Sequence, residues 1–171
     1  MSAAMKNDDI EELLNKALDL MADFRDDEGE EEINALIQRL KADMDATVGD
    51  ADRYYYWGRG LSLLEEPEQA LLRFEKALQI KPDHEGALWE TVTLLLYELE
   101  RPEGAKAVLV ETLLPLRPGY ELYEEALAAA HTLIRLQKGK ATSKNDAETE
   151  PEFPESGSDS ESDSESEPPG D

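Results

Sequence analysis

Cysteine is absent from all 171 residues. That excludes disulfides, thiolate nucleophiles and cysteine-ligated zinc, and with His84 and His131 as the two histidines a histidine-rich metal site is excluded as well. Positive charge is scarce: 17 Lys and Arg face 41 Asp and Glu, for a formal charge of −24. Phosphate-rich partners are repelled by such a chain, so nucleic acid and an anionic membrane surface are not expected partners, and a basic protein is favoured. No apolar run approaches the roughly 18 residues of a membrane span. The stretch MSAAMKNDDIEELL has neither a basic leader nor an apolar signal core. These absences predict a soluble, cytoplasmic protein.

Catalytic signatures are missing too. No P-loop, G-x-G-x-x-G, G-x-S-x-G or H-E-x-x-H occurs, and GKATSK from Gly139 lacks the first glycine and the order of a phosphate loop. The acidic DDEGEEE around Gly29 fails as a calcium loop, because counting back from that glycine puts Phe24 at the first ligand position. No catalytic residue, cofactor or metal is predicted. The chain reads as non-enzymatic.

Helical periodicity dominates what is present. Ile10, Leu13, Leu14, Ala17, Leu18, Met21 and Phe24 recur at three- and four-residue steps, and Ile33, Leu36, Ile37, Leu40 and Met44 do so again. This predicts a helix pair over 8–45, with RDDEGEEE supplying a turn at Gly29 and then acids suited to a helix start. From Ala51 the spacing repeats around a turn at Glu65-Glu66-Pro67. Tyr54, Trp57, Gly58 and Leu61 precede that turn, Ala70, Phe74, Ala77 and Leu78 follow it, and Pro82 closes the unit. Small residues at 58, 70 and 77 let two backbones approach while Tyr54, Trp57 and Phe74 fill the gaps.

The order Tyr54-x2-Trp57-Gly58-x2-Leu61, Ala70-x3-Phe74-x2-Ala77-x4-Pro82 resembles a tetratricopeptide repeat (TPR), with Tyr54 and Trp57 standing where tryptophan and leucine are usual. A second, degenerate copy follows over 85–118. Arg101-Pro102-Glu103-Gly104-Ala105 echoes Glu66-Pro67-Glu68-Gln69-Ala70 at a spacing of 35 against the usual 34, Val108 stands where Phe74 stood, and Ala77 has no match. One residue has been inserted. The resemblance securely covers 51–118.

After it, 119–138 reads as a capping helix on which His131 is packed or half-buried. From Ala141 to Asp171 the composition turns polar and acidic, which predicts a disordered tail. Eleven acids and no base follow Asn145; without them the formal charge falls from −24 to −13. Ser156, Ser158, Ser160, Ser162 and Ser164 each have an acid three residues on and resemble sites of acidophilic kinases, although a merely solubilising tail accounts for them equally.

The resemblance implies an all-α, right-handed superhelix of antiparallel helix pairs, about seven helices in a domain over 1–140. In such proteins a concave groove takes an extended peptide or a helix of a partner. On this pattern the groove is lined by Tyr55, Arg59 and Ser62 from one repeat and by Trp89, Thr93 and Tyr97 from the next, Tyr55 and Trp89 being 34 residues apart. The alternative for Trp89 and Tyr97 is packing under the N-terminal helices or the cap. The cationic and amide clamp that holds heat-shock chaperone tails is not matched, since Tyr55 and Glu90 stand in its place. The expected function is an adaptor or scaffold; a dedicated acidic chaperone for a basic or aggregation-prone client is the second reading.

Overall fold

The computed structural model describes residues 5–23, 26–43 and 49–147. Among these every regular element is helical, in seven rods: α1 (Asn7–Ala22), α2 (Asp26–Asp43), α3 (Ala51–Leu63), α4 (Pro67–Ile80), α5 (Glu85–Thr93, continued by the π turn Leu94–Glu98), α6 (Pro102–Val108, continued by the π turn Leu109–Leu113 and Leu114–Leu116) and α7 (Glu121–Ala147). Short links make the rods antiparallel pairs, α1 with α2, α3 with α4 and α5 with α6, stacked one on the next.

Local chemistry starts and stops these rods. Asp50 caps α3 by accepting from the Asp52 N–H at 3.0 Å. Pro67 and Pro102 sit in the first turns of α4 and α6, where a missing N–H costs nothing. The turns before them share one geometry: Glu65 and Glu100 are left-handed with φ 56° and 51°, and Glu66 and Arg101 follow with φ/ψ of −107°/63° and −111°/63°. Arg101 bridges the two turns through Glu68 at 2.7 Å.

Two clusters make the core, and α3 joins them. Ile10, Leu14, Leu36, Leu40 and Tyr56 form the smaller; the larger runs from Ala17 and Ile33 through Phe74, Val92 and Leu109 to Ala130 on α7. Tyr55, Trp57 and Leu63 of α3 pack against both. At the centre a Cβ on Gly58 would lie 2.5 Å from Phe74 Cε1, so the glycine is what lets that ring pack against α3.

The degenerate copy has a physical explanation in its two π turns. Leu99 N–H reaches back five residues to the Leu94 carbonyl at 2.9 Å, which accommodates one extra residue without breaking the rod. Hence α5 aligns with α3 at an offset of 34, but the following turn at 35. A second π turn at Leu109–Leu113 absorbs another residue, and Pro118 falls 36 after Pro82. The extra residue also moves the partner of Phe74: fully buried Leu109, rather than half-buried Val108, takes its place.

Gly29 is not in a turn. It lies inside α2 against α1, where a Cβ would collide with Met21 Cγ and sit 3.0 Å from the Ala17 carbonyl oxygen. Helix contact, which periodicity does not report, requires the glycine here. Gly29→Ala is expected to lower stability by about 1–2 kcal/mol, the overpacking cost less what alanine gains as a helix former. A urea midpoint equal to or above that of the wild type would show that Met21 moves aside freely. His131 is exposed rather than packed, because the buried stripe of α7 runs through Tyr123, Ala126 and Ala130. That helix also continues to Ala147, seven residues past the composition change at Ala141, since no proline or glycine stops it there.

Candidate partner-binding groove

The odd-numbered rods lie side by side, their N-termini linked by side chains. Asn7 of α1 donates to Asp52 of α3 at 2.8 Å, and the other oxygen of that carboxylate meets His84 Nε2 at 3.0 Å. His84 Nδ1 accepts from the Ala87 N–H at 3.1 Å and so caps α5; its hydrogen is therefore on Nε2, donated to Asp52. Glu85 of α5 accepts from the Tyr123 hydroxyl of α7 at 2.5 Å and pairs with Arg117 at 2.9 Å. Farther along, the Tyr56 hydroxyl donates to Glu11 of α1 at 2.7 Å, and buried Arg53 donates to the Met5 carbonyl.

Tyr55 and Arg59 come together on this row. The guanidinium lies 5.9 Å from the centre of the Tyr55 ring, which also packs on His84 at 4.8 Å. Gly86 makes room, since a Cβ there would be 3.1 Å from Tyr55 Cζ. Arg59 Nε is 3.7 Å from Glu90 Oε1 on α5, both side chains being 27% exposed. Burial pushes the Glu90 carboxyl above the ordinary glutamate range, an effect that Arg59 partly offsets. The folded protein therefore holds the Glu90 proton to higher pH than the unfolded chain does. Its ionised form costs stability above the ordinary glutamate pKa, and the cost vanishes as pH falls through that range.

The remaining expected residues divide. Trp89 is half-buried and packs on Tyr123 of α7, ring centres 5.4 Å apart, beside a shallow recess shared with Tyr120 and Arg117. Burial, then the hydrogen bond to Glu85, pushes the Tyr123 hydroxyl up to about 12. Thr93 donates to the Trp89 carbonyl within its own helix at 3.1 Å, and Ser62 is half-buried. Tyr97, 62% exposed, stands on the π turn at the opposite end of α5. There it borders an open groove of about 500 Å³ with Leu96, Leu133 and Leu136. Thus Tyr55 and Arg59 form one cluster, Trp89 another with α7, and Tyr97 a third place.

Sequence reasoning missed Tyr123 and Gly86 as members of this face. Repeat spacing marked neither: with two residues absorbed by the π turns α7 follows α5 at a step of 36, which sets Tyr123 level with Ala87 rather than Trp89, and Gly86 aligns with Asp52 of α3. Glu90 was visible only as a mismatch to a clamp. Ser156, Ser158, Ser160, Ser162 and Ser164 lie outside the described residues. Among the described residues no group of His, Cys, Asp and Glu could hold a metal ion, and no helix is long and apolar enough to cross a membrane.

No protein-family model matches the chain, and no curated protein matches it. Among solved structures it is similar to the MamA RS-1 ArsTM double mutant, with 18% identity, a TM-score of 0.58, and coverage of 80% of this chain and 70% of that one. At that identity the likeness shows the fold alone, a helical-repeat arrangement of paired antiparallel helices.

Proposed function

We propose that the chain is a cytoplasmic, non-enzymatic interaction module of the TPR type, whose face on α3, α5 and α7 receives a basic peptide or helix of a partner protein. In this reading 1–140 is the helical domain, with a divergent pair at 8–45, repeats at 51–84 and 85–118 and a cap at 119–138, and 141–171 is an acidic tail whose first seven residues continue α7. The observation that carries it is Glu90, a half-buried carboxylate that meets Arg59 at 3.7 Å. A lysine or arginine brought against it would pair with a charge that water screens only in part. Aromatic and arginine side chains around it are the types that dominate binding hot spots.

The test is affinity capture from the native host with wild type, Glu90→Gln and Tyr97→Ala. Both variants are expected to keep the wild-type melting temperature within a few degrees and to weaken capture of the main partner about tenfold or more, the loss of one hot-spot contact. Capture should also weaken as pH falls through the raised Glu90 pKa, because the protonated carboxyl no longer attracts a cation. Full retention by both variants would place binding elsewhere. The dedicated-chaperone reading uses the same face, and separates from the adaptor reading if co-expression with the captured partner is what keeps that partner soluble.

A further inference from the structure

The groove at Tyr97 differs in chemistry from the Glu90 cluster. Its α7 side is Ala129, Thr132, Leu133, Leu136, Gln137 and Lys140, a stripe at three- and four-residue steps, and Leu136 is 56% exposed. Gln137 donates to the Glu100 carbonyl at 2.8 Å and ties α7 to the turn after α5. The stretch of α7 from His131 to Lys140 carries Arg135, Lys138 and Lys140 and no acid, unlike the acidic chain around it. An apolar groove with Lys140 and Glu100 in its lining therefore lies on the helix from which the acidic end of the chain continues, and Arg135 and Lys138 sit around that helix from it.

We propose that the chain's own segment 151–155, PEFPE, occupies this groove, with Phe153 against Tyr97 and Leu136. Phe153 is the one large apolar residue after Ala147, and prolines at 151 and 154 favour an extended form that loses little entropy on docking. Its reach fits. Six residues from Ala147 to Phe153 span about 20 Å when extended, and Leu136 lies about 16 Å back along the helix. Charge favours the same occupant: Arg135, Lys138 and Lys140 make this end of α7 basic within about a Debye length of the groove and draw the eleven acids beyond Asn145, whereas a second copy of a chain with formal charge −24 is repelled. Tethering adds an effective concentration in the millimolar range. The contact does not depend on any partner; where a partner uses Tyr97, it competes with the tail.

The chain has no cysteine, so Ser156→Cys gives a single attachment point for a nitroxide on the full-length protein. Methyl relaxation at Leu133 and Leu136 is expected to rise about tenfold more than at Leu72 and Ile80 of α4, given the tethered concentration. Phe153→Ala in the same background, and salt at about 0.5 M, where the Debye length is about 4 Å, should each remove most of that difference. Equal relaxation at α4 and α7, or an unchanged pattern with Phe153→Ala, overturns the proposal. So does equal relaxation in a mixture where the nitroxide and the isotope label are on different molecules, which would assign the groove to a second copy.

Discussion

Phe74→Ala is expected to destabilise the protein by about 4 kcal/mol, a large share of the 5–15 kcal/mol typical of a domain. The ring has no exposed surface and lies between α3 and α4, with Tyr55 6.1 Å away centre to centre, so no neighbour is free to fill the cavity. Gly58→Ala attacks the same contact from the other side. Its methyl would meet three ring atoms at 2.5–3.0 Å, and a ring so enclosed cannot swing away, which costs about 1–3 kcal/mol by overpacking. The combination Gly58→Ala with Phe74→Leu should cost less than the sum of the single changes, because the new methyl occupies part of the vacated space. Urea unfolding of the four proteins reads this out. Strict additivity would mean that the two positions do not share a contact.

Trp57→Ala is expected to cost about 3 kcal/mol, the lower end for tryptophan because the ring is half-buried. Arg73 of α4 lies 3.9 Å from the ring centre and Lys41 of α2 5.3 Å, so two cations from neighbouring rods pack on one indole. Cation–π attraction adds about 0.5–2 kcal/mol to the buried area. Tyr55 and Trp57, about 200° apart on α3, point to opposite sides; the tryptophan thereby seats the helix whose other face carries the candidate groove. Trp57→Leu keeps most of the apolar area and removes the quadrupole. If it proves as stable as the wild type across a salt series, the cations contribute nothing and the ring acts as filler alone.

Much of this architecture was legible in the chain. Gly58, Ala70, Phe74 and Ala77 are all buried, in the interlocking roles that their sizes suggest. The turn prolines begin α4 and α6 as proline chemistry requires. Gly29 misled because a glycine among acids has the composition of a turn, while its actual constraint, the approach of α1, comes from residues eight and twelve positions away. The spacing of 35 announced an insertion but not its form. A π turn leaves apolar residues on both sides in helical periodicity and has no residue signature of its own.

The candidate face divides along the same line. Tyr55 and Arg59, one helical turn apart, had to meet, and the 34-residue step already paired Tyr55 with Trp89. Seven helices in antiparallel pairs followed from period, glycine and proline, because each of those acts over a few residues. Other properties awaited the packing. Trp89 turned to Tyr123, Glu90 was half-buried beside Arg59, and Tyr97 was carried out to 62% exposure on the π turn. Desolvation and side-chain direction are set by what a neighbouring rod puts opposite a residue, and that neighbour is tens of positions away in the chain.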